Sequence, residues 1–333
     1  MSASHTRRAR VRALAKINLD LRVLEKRADG YHELRTIFQT ISLADSLDIA
    51  FTPSGETEIA IDDALGIADN LAARAARMAL EAMGARGSVR IRLTKRIPMG
   101  AGLGGGSSDA AAVLLALPVL AGGALDWPVL AGLARELGSD VPFFLMGGSA
   151  VGIGRGTELF PLPDRPPVRG LLAVPRVHVS TAEAYRALSP RLTTELQQNK
   201  IFSFQSQVWD VSRAIPAAND FEPAVFERHP ELAAVKQRLL AGGASPALMT
   251  GSGSALFGLF PDAKAVSSAL ATLGEQFPAS ASCGQSSSGQ SPADELGIFR
   301  FVLVNRTRYR AMWWRWLKEH CNGKAWPPRS LYA

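Results

Sequence analysis

A run of glycines that leads directly into an alanine-rich segment constrains this chain more than any other feature. Five glycines lie within residues 100–106, and Ser107, Ser108 and Asp109 connect them to a stretch of alanine and leucine. Glycine tolerates positive φ and lets another group approach the backbone closely. Either serine can cap a helix, whose first turn presents free N–H groups and a partial positive charge. The stretch therefore predicts a phosphate-binding loop at a helix N-terminus rather than a flexible linker.

Two common kinds of phosphate-binding loop, the Walker A loop and the dinucleotide-binding loop, are disfavoured for this stretch. A Walker A loop has lysine after its last glycine, and this chain has serine there. Residues 100–105 satisfy the G-x-G-x-x-G pattern of dinucleotide-binding proteins, which is a weak signal alone. Apolar and polar residues alternate over 89–94, which predicts a strand with one solvated face. The first strand of a dinucleotide-binding fold is buried on both faces, so that class is disfavoured.

Composition indicates a globular protein of a reducing compartment. A chain of 333 residues is long enough for two ordinary cores, so we expect two domains. The uncharged, mostly apolar run 110–125 is shorter than a membrane span, and the basic N-terminus lacks the apolar segment of a signal peptide. The two cysteines, Cys283 and Cys321, do not suggest a disulfide framework. We therefore expect a cytoplasmic protein without a membrane span.

The positive charge of the chain is concentrated near its end. Residues 300–333 carry eight Lys and Arg against one acidic residue, so the whole formal net charge of +7 falls there. Four of the six tryptophans also lie within 306–333. Basic, aromatic segments can bind nucleic acid or lie on membranes. A nucleic-acid-binding or membrane-surface protein is therefore the alternative from a different class, although a packed terminal helix or a segment without a role fits equally.

Two polar pairs near the N-terminus are candidates for a binding site. The first predicted strand, 10–24, alternates so that Lys16 and Asn18 share one face. A lysine on a strand is usually a solvated edge residue. A predicted Asp-Gly turn precedes Tyr31 and His32. These two side chains can stack on a nucleobase and hydrogen-bond to its edge, or they can be a packed aromatic and a surface histidine.

The remaining pattern alternates strands and helices around a proline-rich linker at 161–167. Asp69 is the predicted N-cap of the first helix, and the residues after the linker predict a split βαβ arrangement. Predicted strands lie at 38–50, 89–94, 170–174, 246–250, 254–260 and 298–304, and residues 149–158 are predicted to form a strand and a structural glycine-rich turn. Predicted helices lie at 70–83, between Asp126 and Gly138, from Ser180, at 231–241 and at 263–273.

Four further candidates have two interpretations each. Asp140, before Val-Pro, is either a turn or N-cap residue or a carboxylate at the floor of a dry cleft. Lys95 either lies near a nucleotide or on the exposed strand face. Tyr185 is either a half-buried helix tyrosine or a ring for stacking. The glycine-rich segment 250–253 is either a hairpin turn or part of a site.

Several of these stretches together resemble a known family. Residues 98–112 resemble the second motif of the GHMP kinases, which include galactokinase, homoserine kinase and mevalonate kinase, and residues 250–253 resemble the third. A-K-I-N-L at 15–19 and D-G-Y-H at 29–32 resemble the branch that phosphorylates 4-diphosphocytidyl-2-C-methyl-D-erythritol in the non-mevalonate route to isopentenyl diphosphate. Homoserine and mevalonate kinases do not carry the D-G-Y-H signature. Another GHMP kinase, for a sugar or homoserine, is the nearest alternative.

The resemblance implies an α+β, two-domain GHMP kinase fold. The expected N-terminal domain, 1–162, is of the ribosomal S5 domain 2 type and binds ATP. The expected C-terminal domain, 168–305, is a ferredoxin-like split βαβ domain with a Ser/Gly-rich insertion near 279–292. The family does not need a tail such as 306–333, whose role the sequence leaves unknown. The expected partner is a small cytidine-diphosphate-linked substrate, with no nucleic acid at the active site, and the expected assembly is a monomer or weak homodimer.

The resemblance also assigns residues to ATP, Mg²⁺ and the acceptor. Asp140 corresponds to the catalytic base, and Lys16 pairs with it. A serine hydroxyl, Ser107 or Ser108, is the candidate protein ligand of Mg²⁺, with no direct carboxylate ligand. The residues expected to bind ATP are Asn70, Lys95, Pro98, Met99, Gly100, Ala101, Gly102, Leu103, Gly104, Gly105, Gly106, Ser107 and Ser108. The residues expected to bind the acceptor are Asn18, Tyr31, His32, Tyr185, Thr250, Gly251, Ser252 and Gly253.

Overall fold

Two long antiparallel strands, β1 (Arg7–Lys26) and β2 (His32–Pro53), form the central hairpin of the fold. The structure, a computed structural model, describes residues 5–188, 204, 218–276 and 296–321. The hairpin is longer than the predicted strands, because the alternating pattern extends beyond 10–24 and 38–50 at both ends. The predicted insertion near 279–292 lies outside the described residues.

The hairpin belongs to a sheet that is covered on one face by helices. Within the described residues this sheet has seven strands, with the order β3-β4-β2-β1-β8 and with β5 and β6 continuing from β2. The other strands are β3 (Glu58–Asp63), β4 (Gly87–Thr94), β5 (Ser149–Gly154), β6 (Glu158–Pro161) and β8 (Ala218–Asn219). The covering helices are α1 (Leu71–Met83), α2 (Gly105–Leu120), α3 (Trp127–Leu137) and α4 (Val141–Met146). Nearly all of α2 is buried, which explains the uncharged composition of 110–125.

A second, antiparallel sheet follows the segment between β6 and β7. Its strand order, β11-β7-β10-β9, is the ferredoxin-like arrangement that was predicted. Its strands are β7 (Arg169–Pro175), β9 (Ala247–Met249), β10 (Leu256–Phe260) and β11 (Leu296–Val302). Its helices are α5 (Thr181–Leu188), α6 (Glu222–Arg228), α7 (Pro230–Ala241) and α8 (Ala263–Gln276).

A separate buried apolar cluster lies between the two sheets and joins them. Ile17 and Leu19 of β1 pack in one buried cluster with Leu172 of β7 and Phe257 and Leu259 of β10. Each sheet thus has one face under helices, and the remaining apolar side chains bring the two sheets together. This packing brings residues from the first strand close to loops of the second sheet. None of the helices within the described residues is long and apolar enough to cross a membrane.

Two predicted helix starts are wrong, and local backbone geometry gives the reason. Asn70, not Asp69, is the N-cap of α1: its side chain accepts the N–H of Ala72, while Asp69 has φ +47°. Gly104, with φ +69°, is the N-cap of α2, so neither predicted serine caps that helix. A glycine in this left-handed conformation allows the helix to begin directly from the loop. The serines instead lie in the first turn.

The basic, tryptophan-rich segment forms a helix, α9 (Arg306–Leu317), that packs into the first core. Tyr309, Trp313 and Leu317 are spaced four residues apart, so they share one helix face, and all three are buried. The side chain of Asn305 caps the helix by accepting the N–H of Arg308. Of the interpretations left open for this segment, the structure supports a packed terminal helix over 306–317.

We expect Trp313→Ala to lower the free energy of unfolding by about 3–5 kcal/mol, because the indole is 1% exposed and its removal leaves a cavity in the core. Thermal or urea unfolding monitored by circular dichroism measures this change. Trp314→Ala, on the neighbouring and 44% exposed side chain, is the matched control and should change stability by less than about 0.5 kcal/mol. Equal, small effects of both substitutions would contradict the buried packing of α9.

Candidate active site

Lys16 and Asp140, which are far apart in the sequence, lie close together in the cleft. Lys16 Nζ is 3.6 Å from Asp140 Oδ2. The lysine side chain is buried, whereas the aspartate keeps partial access to solvent at the N-terminal end of α4. The backbone N–H of Lys16 donates to the carbonyl of Leu103, at an irregularity in the pairing of β1 with β2. The ion pair is therefore held directly beside the first glycine loop.

Asn18 connects the lysine to the second glycine loop. Its Oδ1 accepts hydrogen bonds from Lys16 Nζ at 2.8 Å and from the N–H of Gly251 at 3.1 Å. Its Nδ2 donates to Thr36 Oγ1, and its backbone N–H donates to Thr250 Oγ1. A buried amide satisfied on both ends fixes its neighbours in one arrangement. Asn18 thus orients the ammonium group of Lys16.

The two glycine loops touch through their backbones. A Cβ at Gly102 would lie 2.3 Å from the carbonyl oxygen of Thr250, and a Cβ at Gly251 would lie 3.2 Å from Cα of Gly102. Gly102 has φ +76° and Gly251 has φ +59°, a region that favours glycine. Ser252 Oγ is hydrogen-bonded to Thr181 Oγ1 at 2.8 Å. This close approach is possible because both positions lack a side chain.

Asn219 is a supporting residue that the sequence analysis did not find. Its Nδ2 donates to the carbonyls of Met249 and Gly251, at 2.7 and 2.8 Å, and so holds the second glycine loop. It lies on β8, a two-residue strand beside β1. A strand this short has no periodic pattern to read, so the sequence offered no signal for it.

A cavity of about 380 Å³ opens beside the first glycine loop. Its wall combines the loop with two predicted nucleotide-binding residues, Asn70 and Lys95, and with Asp109 of α2. The lining residues from the loop itself are Pro98, Met99, Gly100, Ala101, Gly102, Leu103, Gly104, Gly105, Gly106 and Ser107. The predicted nucleotide-binding residues are therefore brought together, except Ser108, whose hydroxyl is turned to the carbonyl of Leu14.

Lys95 lies at the base of this cavity between two buried carboxylates. Its Nζ binds Asp45 Oδ2 and, at 2.8 Å, Asp109 Oδ2. Burial alone would lower the pKa of Lys95, but the two carboxylates outweigh it and raise the pKa. The interpretation of Lys95 as an exposed strand residue is wrong, because the chain leaves β4 before Lys95 and turns it inward.

Asp109 presents one oxygen without a protein partner. The residue is 1% exposed, and its Oδ1 makes no hydrogen bond within the described residues. Burial and the neighbouring Asp45 carboxylate raise the pKa of Asp109, while Lys95 opposes that rise. Neither carboxylate was predicted from the sequence as part of the site. The available signal for Asp109 was an acidic residue at the fifth position of the helix that follows the glycine loop.

The predicted acceptor-binding aromatics lie on both sides of the cleft. Tyr185 of α5 stacks on His32, with ring centroids 4.9 Å apart, and meets Phe221 edge to face. Burial, with a smaller contribution from the Asp140 carboxylate, raises the pKa of Tyr185 to about 12. Tyr31 is 54% exposed, and the guanidinium of Arg155 covers its ring at 3.5 Å. In this structure Tyr185 therefore faces His32, and Arg155 occupies a position over Tyr31.

Within the described part of the chain, no group of three or more His, Cys, Asp or Glu side chains is placed to hold a metal ion. Of the two serines predicted as metal ligands, Ser108 is buried and donates its hydroxyl to a backbone carbonyl. Ser107 lines the cavity. Of the two, Ser107 is therefore the candidate that can reach a metal bound to a nucleotide.

Two family models and several curated proteins match this chain. A model of the GHMP kinases N terminal domain matches residues 70–148, and a model of the GHMP kinases C terminal region matches residues 210–279. A 4-diphosphocytidyl-2-C-methyl-D-erythritol kinase from Solibacter usitatus (strain Ellin6076) is 60% identical over 333 residues, 99% of each chain. The kinase of the same description from Thermus thermophilus is 44% identical over 83% of this chain and 98% of its own.

Solved structures show the same relationship. A crystal structure of 4-(cytidine 5'-diphospho)-2C-methyl-D-erythritol kinase superposes with a TM-score of 0.70 at 38% identity, covering 88% of this chain and 98% of that chain. The structure of a homoserine kinase from Cytophaga hutchinsonii superposes with a TM-score of 0.69 at 19% identity over 93% of this chain and 98% of that chain. At this identity the second likeness shows the fold alone.

Proposed function

The chain belongs to the GHMP kinase superfamily and to its 4-diphosphocytidyl-2-C-methyl-D-erythritol kinases, and we propose that Lys16 and Asp140 carry its phosphoryl transfer. The enzyme phosphorylates the 2-hydroxyl of 4-diphosphocytidyl-2-C-methyl-D-erythritol, with ATP as the donor, in the methylerythritol phosphate route to isopentenyl diphosphate. The observation that carries the residue assignment is the ion pair of 3.6 Å beside two touching glycine loops.

Asp140 acts as the base for the acceptor hydroxyl. Its carboxylate is partly exposed in the cleft, so a hydroxyl can approach it within hydrogen-bond distance. Lys16 pairs with the Asp140 carboxylate and stabilises the negative charge that develops on the acceptor oxygen. Because Asn18 holds the ammonium group from the other side, Lys16 needs no reorganisation during the reaction. Phosphoryl transfer depends mainly on this kind of positioning and charge stabilisation.

The first glycine loop and the cavity beside it fit a nucleoside triphosphate. Positive φ at Gly100, Gly102 and Gly104 opens the loop, and the first-turn N–H groups of α2 point toward it. Asn70 and Lys95 on the cavity wall would contact the nucleoside.

Mg²⁺ is the expected companion of ATP, and the residues present fit a metal held chiefly by the nucleotide. Ser107 is the proposed protein ligand, because Ser108 is engaged with Leu14. When bound, Mg²⁺ would neutralise charge on the phosphate oxygens. Lys16 and the N–H groups of the loop supply the remaining positive potential from the protein.

We propose that the cytosine of the acceptor binds between the aromatic side chains at the mouth of the cleft. His32 and Tyr185 already stack on each other, and Tyr31 with Arg155 lies on the D-G-Y-H turn. A nucleobase presents a flat face to such rings and polar edges to a histidine or guanidinium. Thr250, Gly251, Ser252 and Gly253 are proposed to line the acceptor side of the transferred phosphate.

We expect Tyr31→Ala and Tyr185→Ala each to raise the KM for the acceptor about 10-fold or more while the KM for ATP stays unchanged, because stacking on a base is worth about 1–3 kcal/mol. Steady-state kinetics with each substrate varied in turn measure the split. Phe160→Ala, on a side chain as exposed as Tyr31, is the control and should leave both constants unchanged. An unaltered acceptor KM in both tyrosine variants would exclude the proposed pocket.

A coupled assay of ADP release tests the activity itself. Turnover should require 4-diphosphocytidyl-2-C-methyl-D-erythritol and should be absent with homoserine, mevalonate or galactose as acceptors. Equal turnover with one of these would point to another GHMP kinase activity.

A further inference from the structure

The short helix that begins after Asp140 is closed at its other end by the terminal helix α9. α4 spans Val141–Met146, so most of its carbonyl groups lie in its last turn and lack a partner inside the helix. The hydroxyl of Tyr309 donates a hydrogen bond of 2.6 Å to the carbonyl oxygen of Phe144. Tyr309 is buried, and burial raises the pKa of its hydroxyl, so the group remains a donor.

The backbone after α4 is shaped to accept α9. A Cβ at Gly147 would lie 2.5 Å from the ring of Tyr309, and one at Gly148 would lie 2.7 Å from Cβ of Arg306. Both glycines have positive φ. The guanidinium of Arg306 donates to the carbonyls of Leu162 and Ser149, so the first turn of α9 is anchored on the strand that follows α4. The fit of α9 to this turn is therefore specific.

On its inner side, α4 contacts the catalytic groups. Phe144 approaches Gly104 of the glycine loop so closely that a Cβ there would lie 2.9 Å from its ring. Phe143 packs against Phe38, and Lys16 Nζ lies 5.4 Å from the centroid of that same ring. A shift of α4 along its axis would therefore move Asp140 together with the rings of Phe143 and Phe144. Phe143 packs against the ring beside Lys16, and Phe144 packs against the glycine loop.

We propose that Tyr309 is a positioning residue for phosphoryl transfer: its hydroxyl, bonded to the carbonyl of Phe144, holds α4 and thereby sets Asp140 against Lys16. This inference rests on the proposed role of Asp140. It gives the terminal helix, which the kinase motifs do not include, a part in the reaction. The hydroxyl acts through the backbone of α4 and does not touch substrate.

Tyr309→Phe tests the proposal, because it removes one oxygen and keeps the ring over Gly147. We expect kcat to fall about 10-fold, whereas the KM values for ATP and acceptor change less than about 2-fold, since misplacement of a reacting group by less than 1 Å slows the chemical step without weakening binding. Single-turnover measurements should show the loss in the chemical step. Leu317→Ala, on the same buried face but two turns away, is the control.

The control separates positioning from stability. Leu317→Ala should lower the melting temperature at least as much as Tyr309→Phe does and leave kcat within about 2-fold of the unaltered enzyme. If Tyr309→Phe lowers only the melting temperature, or if both variants lose kcat equally, the positioning role is overturned while the role of Asp140 stands. If Asp140→Asn, assayed alongside, retains turnover, the proposed catalytic role and this inference fall together.

Discussion

Asp140→Asn should lower kcat by about 10²–10⁴-fold, the range expected when a positioned general base is lost, while ATP binding stays unchanged. The substitution preserves the size of the side chain and its ability to begin α4, so the fold should persist. The amide can neither accept the hydroxyl proton nor pair with the ammonium of Lys16, 3.6 Å away. Steady-state kinetics and calorimetric titration with ATP measure the two effects separately.

Two further variants test whether the loss of kcat is specific to the pair of Lys16 and Asp140. Lys16→Met should also lower kcat strongly, and the double variant should be little worse than either single one, because residues that act as a unit are not additive. Asp126→Asn is the control: Asp126 begins α3 as Asp140 begins α4, and it should leave kcat unchanged. Near-normal turnover of Asp140→Asn would remove that residue from the mechanism.

Gly102→Ala should lower kcat/KM by about 100-fold or more, because the two glycine loops cannot both keep their positions. The new Cβ would lie 2.3 Å from the carbonyl oxygen of Thr250, and φ at this residue is +76°. Backbone must therefore move on one side or the other, which displaces either the phosphate-binding loop or the acceptor side. A rise in the KM for ATP together with a fall in kcat is the expected signature.

A glycine inside helix α3 provides the matched control. Gly132 lies within α3, where an added Cβ meets nothing within 4 Å. Gly132→Ala should leave the kinetics unchanged and raise the free energy of unfolding by about 0.5–1 kcal/mol, because alanine loses less entropy than glycine in a helix. Full activity of Gly102→Ala, with crystal coordinates showing both loops in place, would contradict the close contact.

Much of the site could be predicted because many of its residues lie in short, continuous motifs. The glycine loop, the strand with Lys16 and Asn18, and the D-G-Y-H turn each signal a local backbone form through residue type and spacing. The predicted ferredoxin-like second sheet follows from the same alternation of strands and helices. Local pattern was less reliable at helix ends: Asn70 displaced Asp69 as a cap because backbone φ, not residue type alone, decides which side chain faces the first turn.

Contacts between residues that are distant in the sequence could not be predicted from short motifs. Asp109 and Asp45 meet at Lys95 across two elements, and Asn219 reaches the second glycine loop from a two-residue strand. The burial of Trp313 is also a tertiary fact, since the sequence of the segment taken alone fits a packed helix, a binding segment or a segment without a role equally. Each of these depends on how helices and strands pack, which periodicity does not specify.

By itself, the sequence determined the glycine loop and the family, and it supplied the pair of residues proposed to react, because short motifs dictate local backbone form and supply the chemical groups. Only the tertiary structure decided that Lys16 and Asp140 are 3.6 Å apart, that the two glycine loops touch, and that Tyr309 closes the helix behind Asp140. The physical reason is that these distances arise from apolar burial between two sheets and their helices, which is non-directional and is resolved only by the packing of the whole chain.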